Sequence, residues 1–295
     1  MKFGRLDTDA LDGIDWTLPE DHPDTTKLLN GLAKTGKPEI YAGCAKWGRK
    51  EWVGQLYPEG TKDKEFLDHY VQHFNAIELN STFYGTRKVI VEGWAQRARP
   101  GFKFCPKFFQ RISHYKRLKE AEEITEAFLY IMSMFGENLG MCFLQMPDNF
   151  TPKRLDVLEN YMKLLPGDVP IAVELRHPEW FTDPQVADEL FPMMTHYQKS
   201  MVITDTAGRR DCVHQRLTSD SVFIRFNGYD LHPSDYHRID SWVTRLKEWL
   251  DQGLKTAYFF AHQEDEQFTP VTCDYFLKGI NEACGLQLMR PQFIT

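Results

Sequence analysis

Two glutamates sit in stretches that are otherwise apolar. In "AIELN" (76–80) it is Glu78, and in "IAVELRHPEWF" (171–181) Glu174 is followed two residues on by Arg176. Strand side chains alternate between faces, so Ile77 and Leu79 oppose Ala76, Glu78 and Asn80. By the same rule Ile171, Val173 and Leu175 oppose Ala172, Glu174 and Arg176. Two carboxylates converging on one cleft suit a general acid and a general base if their pKa values are driven apart, a pairing that serves glycoside cleavage and sugar isomerisation alike. Asp205, ending "MVITD", is a third acid that can support them, so Glu78, Glu174 and Asp205 are the expected catalytic residues.

Polar and cationic residues recur at the same end of other apolar runs: Lys107, Gln145, Arg225 and Asn227, with Asn80 and Arg176 beside the glutamates. A buried isolated charge costs several kcal/mol, so these groups must pair with one another or meet a ligand. Paired only, they form a neutralised ring that orders the fold. Open to a ligand, they bind a small polar or anionic substrate, a sugar or a phosphate ester, with Trp47, Tyr84 and Trp180 as aromatic walls. An enzyme of that kind is a hydrolase or an isomerase.

A metal-dependent phosphodiesterase or nuclease resembling endonuclease IV is the alternative, drawing ligands from Glu78, Glu174, His177, Asp205 and His262. No HxH or HExxH spacing supports it, and no GxSxG elbow or glycine-rich phosphate loop appears, so no metal or cofactor is assigned.

The elements that must position these residues are eight β-like runs, at 39–45, 76–80, 102–108, 141–146, 171–175, 201–204, 222–226 and 257–261. Helical stripes separate most of them, such as Phe66, Leu67, Tyr70, Val71, Phe74 and Ile239, Trp242, Val243, Leu246, Trp249, Leu250. Thr151-Pro152 and Asp183-Pro184 look like N-cap plus first-turn proline. Eight strand–helix units predict an α/β fold, a single closed (β/α)8 TIM-type barrel of eight parallel strands over 38–295, its active site at the strand C-termini. The crossover after the sixth strand shows no helix, and residues 1–37 form an Asp- and Pro-punctuated arm packing on the barrel.

Hydrophobic residues at 42% and charged residues at 26% describe a globular chain, and no apolar run approaches a membrane span. Without a secretory leader, a cytoplasmic location is expected. Six cysteines lacking a CxxC pair read as reduced thiols. The net charge of -7 hides a basic segment at 86–119, where ten Lys or Arg face Glu92 alone. That segment is either a solvated face or a surface for nucleic acid, which makes a non-catalytic anion or nucleic-acid binding module the third possibility.

The motifs "GCAKWGRKEWVGQLYPEGT", "FNAIELNSTFYG", "PGFKFCPKF", "LQMPDNF", "VELRHPEWF", "VITDTAG" and "VFIRFNG" follow one another in the order of the YecE-like family, domain of unknown function 72, which this chain resembles. The resemblance implies a TIM-type barrel and no settled activity. It directs attention to Trp47, Glu78, Asn80, Ser81, Thr82, Phe83, Tyr84, Lys107, Gln145, Glu174, Arg176, Trp180, Asp205 and Arg225. The eighth strand departs from the family's frequent Asn-Asn ending with Ala261-His262, so no family-wide role falls on His262.

Overall fold

The computed structural model describes residues 3–34 and 36–294. Along the chain lie α1 (Pro23–Gly31), β1 (Glu39–Cys44), α2 (Phe66–Tyr70), β2 (Ala76–Leu79), α3 (Lys88–Ala95) and β3 (Lys103–Pro106). Then come α4 (Glu122–Met132), β4 (Cys142–Gln145), α5 (Leu155–Leu164), β5 (Ile171–Glu174), α6 (Glu179–Thr182), α7 (Pro184–His196) and β6 (Ser200–Asp205). The chain closes with β7 (Ser221–Asn227), α8 (Pro233–Gln252), β8 (Thr256–His262) and α9 (Thr269–Cys284).

The closed eight-stranded TIM-type barrel expected from these units does not form. The strands make a six-stranded parallel sheet in the order β1-β8-β7-β6-β5-β4 and a separate two-stranded parallel sheet, β2-β3. The fold is α/β, and local chemistry explains both breaks. Between β1 and β2 the backbones are bridged by side chains. Ala42 N–H donates to Asn75 Oδ1 and Asn75 Nδ2 to the Ile40 carbonyl, each at 2.8 Å. The Tyr70 hydroxyl accepts from Cys44 N–H at 2.8 Å and donates to the Ala76 carbonyl at 2.9 Å. Gly43 sits at this seam, where a Cβ would come within 1.9 Å of the Ala76 carbonyl oxygen. At the other break, Lys103 N–H and Lys107 N–H point to the β2 side and Phe108 N–H to β4, so position 106 also faces β4. Pro106 has no N–H to give there. Isolated bridges, Phe104 with Leu139 and Lys107 with Phe143, are what joins β3 to β4.

Alternation along the strands divides the interior. Ala76, Cys105, Phe143, Ala172, Val202, Phe223 and Phe260 form one buried cluster on the inner face. Ile77, Leu144, Val173, Ile203 and Ile224 belong to the larger core beneath the helices, with Trp242, Leu246 and Trp249 of α8. Asp183 caps α7 by accepting from Gln185 N–H at 3.0 Å, with Pro184 in the first turn. Thr151 makes no such side-chain bond, and Pro152 opens a single 3-10 turn before α5. Between β6 and β7 the regular structure is one 3-10 turn, Arg210–Cys212.

The N-terminal residues cross the C-terminal ends of the later strands. The Gly4 carbonyl accepts from Gly208 N–H at 2.7 Å and from the Thr206 hydroxyl at 2.8 Å. The Phe3 ring lies 4.4 Å from the Arg176 guanidinium, and Trp16 lies 4.5 Å from that of Arg238. All six cysteines are free thiols. Among the described residues no helix is long and apolar enough to cross a membrane.

Candidate functional site

Two residues beyond seven members of the inner cluster, the same faces turn polar. Ala76 leads to Glu78, Cys105 to Lys107, Phe143 to Gln145, Ala172 to Glu174, Val202 to Thr204, Phe223 to Arg225 and Phe260 to His262. A period of two therefore aims all seven at one region above the apolar layer.

Arg225 is the centre of the network. Its Nε donates to Glu78 Oε2 at 2.8 Å, its Nη2 to Glu78 Oε1 at 2.7 Å and its Nη1 to Glu174 Oε2 at 2.7 Å. Arg176 Nε donates to Glu174 Oε1 at 3.0 Å, and Thr204 Oγ1 donates to the same oxygen at 3.3 Å. Asn80 Nδ2 donates to Glu78 Oε1 at 2.7 Å, and His262 Nε2 lies 3.1 Å from Glu78 Oε2. Gln145 Oε1 accepts from both Lys107 Nζ, at 2.7 Å, and Arg176 Nη2, at 2.9 Å.

This pairing decides the ionisation. Burial alone pushes the Glu78 carboxyl up, but Arg225 and His262 outweigh it and hold the group well below the usual carboxylate range. Glu174 behaves alike: burial raises it, and Arg176, Arg225 and Lys107 together bring it down. Arg225 is lifted above its ordinary value by the two carboxylates despite burial. Both glutamates are therefore anions at neutral pH, and neither is poised as the acid of an acid/base pair. Lys107 moves the other way. Burial and then repulsion from Arg225 draw its ammonium down to about 8, against the pull of Glu174. It is 9% exposed, and its Nζ lies 4.3 Å from the Phe83 ring centroid. His114 faces the same space, and burial, then Lys107 and Arg176, bring it down to about 4, so it is neutral at pH 7.

These groups line a hollow of about 480 Å³, bounded by Asn80, Phe83, Tyr84, Lys107, His114, Gln145, Arg176, Arg225 and His262. Trp47 borders the neighbouring groove instead, half-buried against Trp94. Asn227 follows Arg225 on the same face and is buried, and neither its Nδ2 nor its Oδ1 has a hydrogen-bond partner among the described residues.

Two further expected site residues, Asp205 and Trp180, line neither this hollow nor the neighbouring groove. Asp205 has the opposite parity to Thr204 and turns under α8, where its carboxylate accepts from Arg210, from Arg238 at 3.1 Å and from Trp242 Nε1 at 2.7 Å. Trp180 is fully buried, stacked on Phe150 and donating Nε1 to the Phe150 carbonyl at 2.7 Å. Thr204, Phe83, His114 and His262 also join the site, Phe83 being among the residues to which the family resemblance directs attention and His262 among those considered as metal ligands. For Thr204 and His262 the signal is strand parity; for His114, in the helical turn Arg111–Tyr115, it is the mixing of basic and aromatic residues after β3. Among the described residues no three His, Cys, Asp or Glu side chains come together as a metal-binding set. Of those considered as metal ligands, Glu78 and His262 meet, whereas His177 lies 3.7 Å from Glu179 and Asp205 is elsewhere.

The basic segment 86–119 runs through α3, β3 and the helical turn Arg111–Tyr115. Lys103 begins β3 and Lys107 follows its end, about 13 Å apart along a strand. Arg97 pairs with Asp68, and Arg99 donates to the Val71 carbonyl at 2.8 Å.

Fold and site together define an α/β protein whose parallel strands gather a buried Glu–Arg–Glu network beside a cation-lined hollow. The chain belongs to the family described as "Protein of unknown function DUF72", whose match covers residues 41–292. It is 30% identical over 245 residues to the UPF0759 protein YecE of Escherichia coli (strain K12), covering 77% of this chain and 87% of that protein. It is 29% identical over 153 residues to the UPF0759 protein YunF of Bacillus subtilis (strain 168), covering 49% and 53% of the two chains. A DUF72 family protein from Enterococcus faecalis V583 has a similar solved structure, with a TM-score of 0.63 at 20% identity over 85% of this chain and 99% of that one. At that identity the likeness concerns the fold.

Proposed function

We propose that the hollow binds a small polar anion and exchanges a proton with it through Lys107, in the manner of a hydrolase or isomerase acting on a sugar or phosphate ester. The observation that carries this reading is the unequal state of the charged groups. Glu78 and Glu174 are each engaged by guanidinium groups, whereas the Lys107 ammonium donates to an uncharged amide oxygen and borders open space. Among the described residues in the wall of the hollow, Lys46, Lys107, Arg176 and Arg225 outnumber Glu266, a lining that suits an anion. In this reading the glutamates fix the arginines, and the group that exchanges protons near neutrality is the lysine.

Titration calorimetry with sulfate and with ribose 5-phosphate tests it; sulfate keeps its charge between pH 7 and 9.5. Wild-type affinity for sulfate is expected to fall at least tenfold over that range as Lys107 loses its proton. Lys107→Met binds weakly at both pH values. At pH 8.5, sulfate binding to wild type draws protons from the buffer. Equal affinity of wild type and Lys107→Met, or no binding of either anion, removes the reading.

A further inference from the structure

A second hollow of about 430 Å³ adjoins the first and has the opposite character. Its walls are Trp47, Trp94, Ile77 and Leu79, which place it outside β2, toward α3. Trp47 and Trp94 meet edge to face at 5.4 Å, and both remain half-buried, while the Tyr84 ring at the junction is 77% exposed. Ala45, Lys46, Asn80 and Tyr84 line both hollows, so the two are continuous across the end of β2.

We propose that the ligand is nucleotide-like: an anionic group held at Lys107 and Arg176, joined through a short polar spacer to a flat aromatic ring seated against Trp47 and Trp94. This deepens the anion reading above and rests on it. Charge selects the occupant of the first hollow, and continuity places the rest of the same molecule in the second. The lining of the second hollow chooses between rings. Its polar side chains are Lys46, Asn80, Ser81 and Tyr84, set among Trp47, Ile77, Leu79 and Trp94, and Asn80 Nδ2 is already given to Glu78. A sugar there exchanges its water contacts for aliphatic and indole carbon, leaving hydroxyls unpaired. A flat heteroaromatic ring instead offers two faces that stack on Trp or Tyr.

The experiment compares AMP with ribose 5-phosphate, which share phosphate and ribose and differ in the ring. Calorimetry on wild type, Trp94→Leu and Trp47→Leu is the measurement. AMP is expected to bind wild type at least tenfold more tightly than ribose 5-phosphate. Each tryptophan variant loses most of that advantage and keeps the wild-type affinity for ribose 5-phosphate, which also reports that it is folded. Equal affinities in wild type overturn the proposal, as does an AMP advantage that survives in both variants. The wild-type comparison needs no variant, so it decides the matter even where a variant misfolds. Ribose 5-phosphate binding without an AMP advantage defeats this inference alone; no binding of sulfate or ribose 5-phosphate defeats the anion reading with it.

Discussion

Arg225 clasps Glu78 through two parallel hydrogen bonds, Nε to Oε2 at 2.8 Å and Nη2 to Oε1 at 2.7 Å, with both side chains almost wholly buried. The fork matches the carboxylate edge, leaving Nη1 to reach Glu174 from the other direction. One guanidinium thus joins β2 to β5 across the interior, and it does so where β2 belongs to a separate sheet. The network ties the β2-β3 pair to the larger sheet at the level of the site.

Removing one partner strands the other. Glu78→Ala leaves Arg225 with a single carboxylate in a buried setting and is expected to lower stability by about 3–5 kcal/mol. Adding Arg225→Met leaves Glu174 paired with Arg176, so the double variant should cost less than the sum of the single changes. Urea denaturation of the four proteins measures the coupling. Strictly additive losses, or a Glu78→Ala cost below about 1 kcal/mol, contradict the account.

Much of the site was legible from strand parity. Glu78, Gln145, Glu174 and Arg225 each fall two residues past an inner apolar position, and alternation alone puts them on one side. The same rule separates Thr204 from Asp205, which cannot share a face. Sheet closure was not legible, because it depends on tertiary contacts at two seams. Asn75 and Tyr70 replace a backbone ladder with side chains, and Pro106 withholds an N–H; counting strand–helix units sees neither. Lys107 was visible as a cation but not as the titrating group, since its depression comes from burial and from neighbours distant in sequence.

Asp205 offers a test of that separation. Its two oxygens bind Arg210, Arg238 and Trp242 beneath α8, so Asp205→Asn weakens charge-assisted bonds in a buried cluster. A loss of roughly 2–4 kcal/mol of stability is expected, with sulfate affinity unchanged within twofold. Thermal denaturation and calorimetry on one preparation read both quantities. A selective loss of anion binding at wild-type stability would instead place Asp205 in the site's chemistry.

The side-chain seam between β1 and β2 makes its own demand. Asn75→Ala leaves the Ala42 N–H and the Ile40 carbonyl without their partner, at about 1–3 kcal/mol for each unsatisfied group. Hydrogen exchange should show the loss concentrated at Ala42 and its β1 neighbours, with β6 and β7 protected as in wild type. Uniform loss of protection, or none at β1, argues against a seam held by this one amide.

Lys107 gives a stability signature independent of any ligand. Its folded-state pKa, drawn down to about 8, lies below the ordinary value of 10.5, so between those limits the unfolded chain binds more protons than the folded one. Stability contributed at this position therefore rises with pH from about 8 to 10.5, because the folded protein sheds a proton that burial disfavours. The glutamates act at the other end: their depressed values supply stability that is complete above the ordinary carboxylate pKa of 4.5 and lost as acid protonates them. Other groups titrate in alkali, so the quantity to follow is wild type minus Lys107→Met. That difference should shift in favour of wild type by roughly 3 kcal/mol between pH 8 and 10.5, and stay level from pH 6 to 7. Urea unfolding at half-unit steps of pH measures it. A flat difference across the alkaline range, or one of opposite sign, means that the lysine keeps its ordinary affinity for protons and that the hollow exerts no such pressure on it.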